Sequence, residues 1–307
     1  MRITGVGSLP HVDPAAAARF VLATCDVPYL PQLPRRHREE GMLRQWGDGL
    51  AGLGAADDEL GLRHGAPAGP REEAFVGAEV ALELFRAAGV REVKTQATGP
   101  ITLAFAALAA GRGPDGLWEA IVPGLAERIE DHLAAVRRAL PGATVHLVVD
   151  EPSLVAFAPG ARRGPLDPEA AFAALARLLG ALDVPAGVHC CGDTAWARLL
   201  GLGPSRLSID VRTPGLLAEA PAFASAVAGG VVPVWGLVPV EPCPDPSDRL
   251  GRYRTVVSAL VVEGAPHAAL TGDAWATPTC GLAGVTPKAA AVIMEELRRR
   301  VEGLDGR

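Results

Sequence analysis

Short apolar runs alternate with helical patterns along nearly the whole chain, and this alternation restricts the fold more than any other feature. Eight runs read as buried strands: Ile3 to Gly7, Pro28 to Gln32, Glu92 to Ala97, Thr144 to Val149, Ala186 to Cys190, Arg206 to Val211, Val231 to Leu237 and His267 to Thr271. Helical patterns separate most of them, at Pro14 to Thr24, Glu72 to Ala88, Leu117 to Leu140, Pro168 to Leu182, Thr194 to Leu200, Pro214 to Ala228 and Asp248 to Val262, with Pro287 to Val301 last. Asp13-Pro14 and Asp167-Pro168 have the form of helix starts, a capping carboxylate followed by proline where a missing N–H costs nothing. Strand alternating with helix implies an α/β protein with a parallel sheet, since a parallel neighbour is reached only through a crossover. Eight such units in 307 residues predict a single-domain (β/α)8 barrel over 1–307. A doubly wound open sheet is the alternative. Leu33 to Gly69 fits neither element and reads as a long loop insertion, with short helices, over one end of the barrel.

Composition narrows the partners. A hydrophobic content of 49% and a charged content of 21% suit a soluble chain with a full core. The formal net charge of −6 argues against nucleic acid or an anionic membrane surface as the main partner. Ala220 to Val240 carries no charge, but Pro221, Gly229, Gly230, Pro233, Gly236 and Pro239 interrupt it, so it reads as a helix end, a turn and a buried strand and not as a membrane span. Five cysteines, Cys25, Cys190, Cys191, Cys243 and Cys280, form no even, closely spaced framework, and no secretory leader is read, so a reducing, cytoplasmic location is expected.

In a barrel, reactive residues gather at the carboxyl ends of the strands. Gly7-Ser8, Thr98-Gly99-Pro100, Asp150-Glu151, His189 to Cys191, Asp210 and Cys280 all fall at or just beyond such ends. Alternation along a strand points His189 and Cys191 one way and Cys190 the other, into the wall. An imidazole and a thiolate side by side are two ligands for a tetrahedral zinc, and Cys280 offers a third. Zinc is a Lewis acid that ionises a coordinated thiol, and three protein ligands with one exchangeable position suit catalysis. The bland alternative is that Cys191 and Cys280 are small buried hydrophobes and His189 a satisfied core histidine. Asp150, running off a buried strand, is placed to bind a substrate ammonium or orient a reacting group; a helix cap or rim ion pair is its alternative. Gly7 lets backbone amides approach a ligand and Ser8 can donate to a carboxylate, or the pair is a simple turn.

Taken together and in order, Gly5-Val6-Gly7-Ser8-Leu9-Pro10, Thr98-Gly99-Pro100-Ile101-Thr102, Val149-Asp150-Glu151-Pro152, His189-Cys190-Cys191-Gly192, Ile209-Asp210 and Cys280-Gly281-Leu282 resemble the carboxyl-terminal catalytic barrel of the cobalamin-independent methionine synthases. The wider superfamily also holds uroporphyrinogen decarboxylases and methylcobalamin:coenzyme M methyltransferases. The resemblance implies a zinc on His189, Cys191 and Cys280 and methyl transfer to a zinc-bound thiol, homocysteine in the synthases, to give methionine. Asp210 stands where the family has a glutamate ligand, one methylene longer. Gly7 and Ser8 match the positions that bind the amino-acid carboxylate, and Asp150 the one that holds its ammonium.

Three departures shape the expectation. The synthases carry a second, amino-terminal barrel that helps bind the folate donor, whereas these residues hold one, so the methyl donor is left open and a corrinoid protein is a candidate partner. The synthases have a catalytic histidine after strand seven, where this chain reads Trp235-Gly236-Leu237-Val238-Pro239-Val240-Glu241. Leu33 to Met42 is arginine-rich where the family places an acid that grips the substrate, with Glu39 and Glu40 only nearby. The alternatives are a methylcobalamin:thiol methyltransferase of the coenzyme M type, a metal-free decarboxylase-like barrel with Arg35, Arg36 and Arg38 lining its mouth, and a zinc-retaining barrel without catalysis.

Overall fold

The computed structural model describes residues 1–50, 73–162, 164–240 and 249–305. Seven strands form one parallel sheet: β1 (Arg2–Ile3), β2 (Glu92–Thr98), β3 (Thr144–Asp150), β4 (Ala186–Cys190), β5 (Arg206–Asp210), β6 (Val232–Val238) and β7 (Trp275–Pro278). Their order, β1-β7-β6-β5-β4-β3-β2, places the first strand against the last, so the sheet curls into a half-barrel flanked by helices. Nearly every residue of β2 and β4 is buried, as expected of parallel strands covered on both faces.

The expected strand at Pro28–Gln32 is reduced to isolated bridges, Ser8 with Gln32 and Tyr29 with Lys94. Pro28 and Pro31 cannot donate to a ladder. The segment nevertheless bonds to both sides: Gln32 N donates to Gly7 O (3.1 Å) and Leu30 N to Lys94 O (2.9 Å). Close packing at this seam requires glycine. A Cβ on Gly5 would lie 2.3 Å from the buried Tyr29 ring, and one on Gly7 2.7 Å from the Gln96 side chain.

The eighth expected strand is a correction. His267–Thr271 is a helix entered through Pro266, and the last strand is Trp275–Pro278. A short apolar run cannot separate buried helix from strand by periodicity. The expected helix at Pro214–Ala228 breaks at Glu219 into Gly215–Ala218 and Ala220–Ala228, because Pro221 cannot continue the first. Asp13 and Asp167 cap their helices, accepting from Ala15 N and Ala170 N at 2.9 Å each. The uncharged stretch Ala220–Val240 is a helix, a glycine turn and β6, and no helix among the described residues is long and apolar enough to cross a membrane. The described part of the insertion, up to Leu50, contains a short 3-10 helix (Arg38–Glu40) and the helix Met42–Gly47. The rest of it, 51–69, lies outside the described residues, as does Cys243.

Candidate metal centre

Two strand ends build the centre. β4 carries His189 into the concave face and ends at Cys190, whose side chain is fully buried on the opposite side. Burial pushes the Cys190 thiol up to about 12, so it is an inert core group. Cys191 follows, half-buried, and Cys280 stands two residues beyond β7 as the most open of the three. One ligand atom from each of His189, Cys191 and Cys280 lies within 4.8 Å of the others. A tetrahedral zinc with two thiolates needs the sulfurs about 3.8 Å apart, so side-chain adjustments of about 1 Å would seat an ion. The group can therefore hold a metal. The neighbouring thiols shift each other, holding Cys191 below its ordinary pKa and pushing Cys280 up to about 12. A cation held there would take the place of the thiol protons, since a ligating cysteine is deprotonated.

Ser208 was not singled out from the sequence, yet it organises the imidazole. It is the register partner of His189 on β5, and its Oγ is 2.8 Å from His189 Nδ1. This bond fixes the ring and leaves Nε2 for a metal. A polar residue inside the apolar run Leu207-Ser208-Ile209, on the face shared with Asp210, was the available signal.

Asp210 is not part of the three-residue group. Its Oδ1 accepts from Arg212 N (2.8 Å) and from the Arg249 guanidinium. Gly7-Ser8 is brought to the centre: Leu282 N donates to Ser8 O (2.8 Å), and Gly281 has no room for a Cβ, which would fall on Ser8 Oγ. Asp150 is the register partner of His189 on the other side. It is buried, and its Oδ1 has no hydrogen-bond partner. Lys94, on β2, is its electrostatic counterpart. Burial raises Asp150 and lowers Lys94, and each partly offsets the effect on the other. The Lys94 ammonium also donates to Val6 O and Gln96 Oε1, tying the first-strand loop to β2. A lysine inside a buried strand pattern was the sequence signal for this pair. Asp150, Lys94, His189, Ser208 and Thr277 line a cavity of about 10 Å3, room for about one water, into which the unpartnered Asp150 Oδ1 and Thr277 Oγ1 fit as hydrogen-bonding groups. A separate groove of about 600 Å3, between the segments that follow β3 and β4, is lined by Phe157, Phe172, Arg162 and Arg198 and contains none of the three ligands.

Glu151 has a structural duty. Fully buried, it accepts from Ile101 N and Thr102 N (2.8 Å each) and Thr102 Oγ1 (2.6 Å), capping the helix Pro100–Ala109 from just beyond β3. Gly99 makes room for it, since a Cβ there would lie 2.2 Å from Glu151 Oε1. Burial pushes Glu151 up to about 7 against those hydrogen bonds. A carboxyl raised above its ordinary 4.5 holds its proton longer folded than unfolded, so its contribution is full below about pH 4.5 and is lost as pH rises through about 7. That loss is about 3 kcal/mol. Urea unfolding of the wild type should show it as a falling slope that is shallower in Glu151→Gln, where the raised Asp150 still contributes. Identical slopes would mean that Glu151 does not titrate in the folded protein.

Two of the three clustered arginines are engaged internally. Arg36 pairs with Glu40 and with Glu73 (2.8 Å), and Arg35 donates to Gly284 O (3.2 Å). Glu40, fully buried, accepts from Leu33 N and Gly77 N, so it holds the loop. Neither protein-family models nor curated proteins give a match to this chain.

Proposed function

We propose that the chain is a (β/α)8-type enzyme that moves a methyl group onto the sulfur of a small thiol, homocysteine by preference, at a zinc held by His189, Cys191 and Cys280. The observation that carries this reading is the convergence of an imidazole and two thiols, from strand ends far apart in sequence, within 4.8 Å at an open rim. The bonding of Pro28–Gln32 to both β1-side and β2 residues supports reading that segment as the eighth stave. The donor set, one nitrogen and two soft sulfurs, is suited to zinc. Zinc supplies Lewis acidity that ionises the acceptor thiol near neutral pH.

The protein's own groups do the rest. Ser208 orients His189, and Ser8, beside Cys280-Gly281, presents a hydroxyl to the acceptor's carboxylate. Asp150 offers an unpaired oxygen to its ammonium. Held in line, the thiolate forms a carbon–sulfur bond as the donor–methyl bond breaks and its electron pair leaves with the donor. No histidine occurs between Trp235 and Val240 to protonate a folate leaving group, which favours a methylcobalamin donor, free or on a corrinoid protein, as the second reading. The internal pairing of Arg35 and Arg36 weighs against a decarboxylase mouth. The test incubates zinc-loaded protein with homocysteine or coenzyme M and, in turn, methyl-folates, methylcobalamin and simple methyl thiols. Methionine from homocysteine is the expected product. A zinc-replete protein that methylates no thiol from any donor would end the proposal.

A further inference from the structure

We propose that Arg249 is a positioning residue that withholds Asp210 from the metal, so that the centre has three protein ligands and a fourth place kept for the incoming thiol. This rests on the metal reading above and specifies its acceptor position. Asp210 ends β5, next to β4, where the pairs His189–Ser208 and Cys190–Ile209 set it level with Cys191. On its other side, a Cβ on Gly236 would lie 3.2 Å from Asp210 Cα and 3.1 Å from Thr279 Cα, so the chain leading to Cys280 runs close by. Asp210 thus stands on the same rim as the three ligands, yet it does not join them. What occupies it is visible. Oδ1 takes the Arg212 amide, which turns the carboxylate back over its own loop, and the guanidinium of Arg249. The Arg249 side chain is 5% exposed and that of Asp210 19%, so the bond is shielded from water and from competing ions.

Charge explains the use of such a clamp. A divalent ion with an imidazole and two thiolates is neutral, and an acceptor thiolate brings it to −1. A carboxylate in the fourth place would bring the centre to −1 beforehand and oppose the thiolate. Pairing with Arg249 cancels the Asp210 charge and removes the competitor. The short aspartate reach assists, because a longer side chain would find the metal more easily.

Cobalt(II) substitution reads the coordination directly. Asp210→Asn should leave cobalt stoichiometry and the visible d–d bands of the resting protein unchanged. Arg249→Met should shift those bands and raise about tenfold the 2-mercaptoethanol concentration that half-saturates the sulfur-to-cobalt charge-transfer band, the size of one partly buried charge pair. The double variant should return to near the wild-type titration. A spectrum altered by Asp210→Asn alone would make Asp210 a ligand and overturn the proposal, as would an Arg249→Met protein that titrates like the wild type. Should Arg249→Met not fold, Asp210→Asn decides by itself. Failure of the unaltered protein to bind cobalt would instead remove the metal reading, and this inference with it.

Discussion

Cys280→Ser should lose bound zinc and methyl transfer together while the protein stays folded. A serine hydroxyl does not ionise to serve as a soft ligand, and the two remaining donors, His189 and Cys191, cannot hold a divalent ion tightly. Changing a residue that merely orients a ligand costs about 10–100-fold in metal affinity; removing a ligand should exceed about a hundredfold. The fold is spared because Cys280 is solvent-exposed and lies outside the strand ladder. Elemental analysis after gel filtration, beside product formation from homocysteine, reads both losses in one preparation. A variant that keeps one zinc per chain and the wild-type rate would remove Cys280 from the site.

Asp150→Asn should cost about 1–3 kcal/mol of stability, the range for leaving a buried polar group without its compensation. Lys94 is 4% exposed, and Asp150 is the carboxylate that offsets its burial. Without that charge the ammonium must stay buried uncompensated or surrender its proton. Its hydrogen bonds to Val6 O and Gln96 Oε1 belong to the seam that sets the Gly7-Ser8 loop, so the acceptor cradle should loosen as well. Lys94→Met in the same chain should recover part of the loss, because no buried charge is then left uncompensated, although Val6 O and Gln96 Oε1 lose their donor. Urea unfolding of the four proteins of this cycle measures the coupling. An additive cycle, with Asp150→Asn costing less than about 1 kcal/mol, would mean that the two side chains do not depend on each other.

Several strand–helix units were legible because each rests on local rules. The helix Pro14–Thr24 and the strand Ala186–Cys190 keep their expected bounds, the first fixed by Asp13 and Pro14, the second by an apolar run between turn residues. The failures have separate local causes. Pro28–Gln32 has a strand's composition but two prolines in its ladder positions, and His267–Thr271 is too short for periodicity to decide.

Residue order by itself determined the class of fold, the faces of His189 and Cys191, and the burial of Cys190, since alternation along a strand and capping at a helix end act over a few residues. Only tertiary structure decided which groups meet. The arrival of Cys280 beside Cys191, the clasp of Ser208 on His189, the diversion of Asp210 to Arg249 and the meeting of Lys94 and Asp150 at one cavity all depend on strand register and sheet curvature. Those are set by the packing of the whole sheet against its helices, and no short window of sequence contains them.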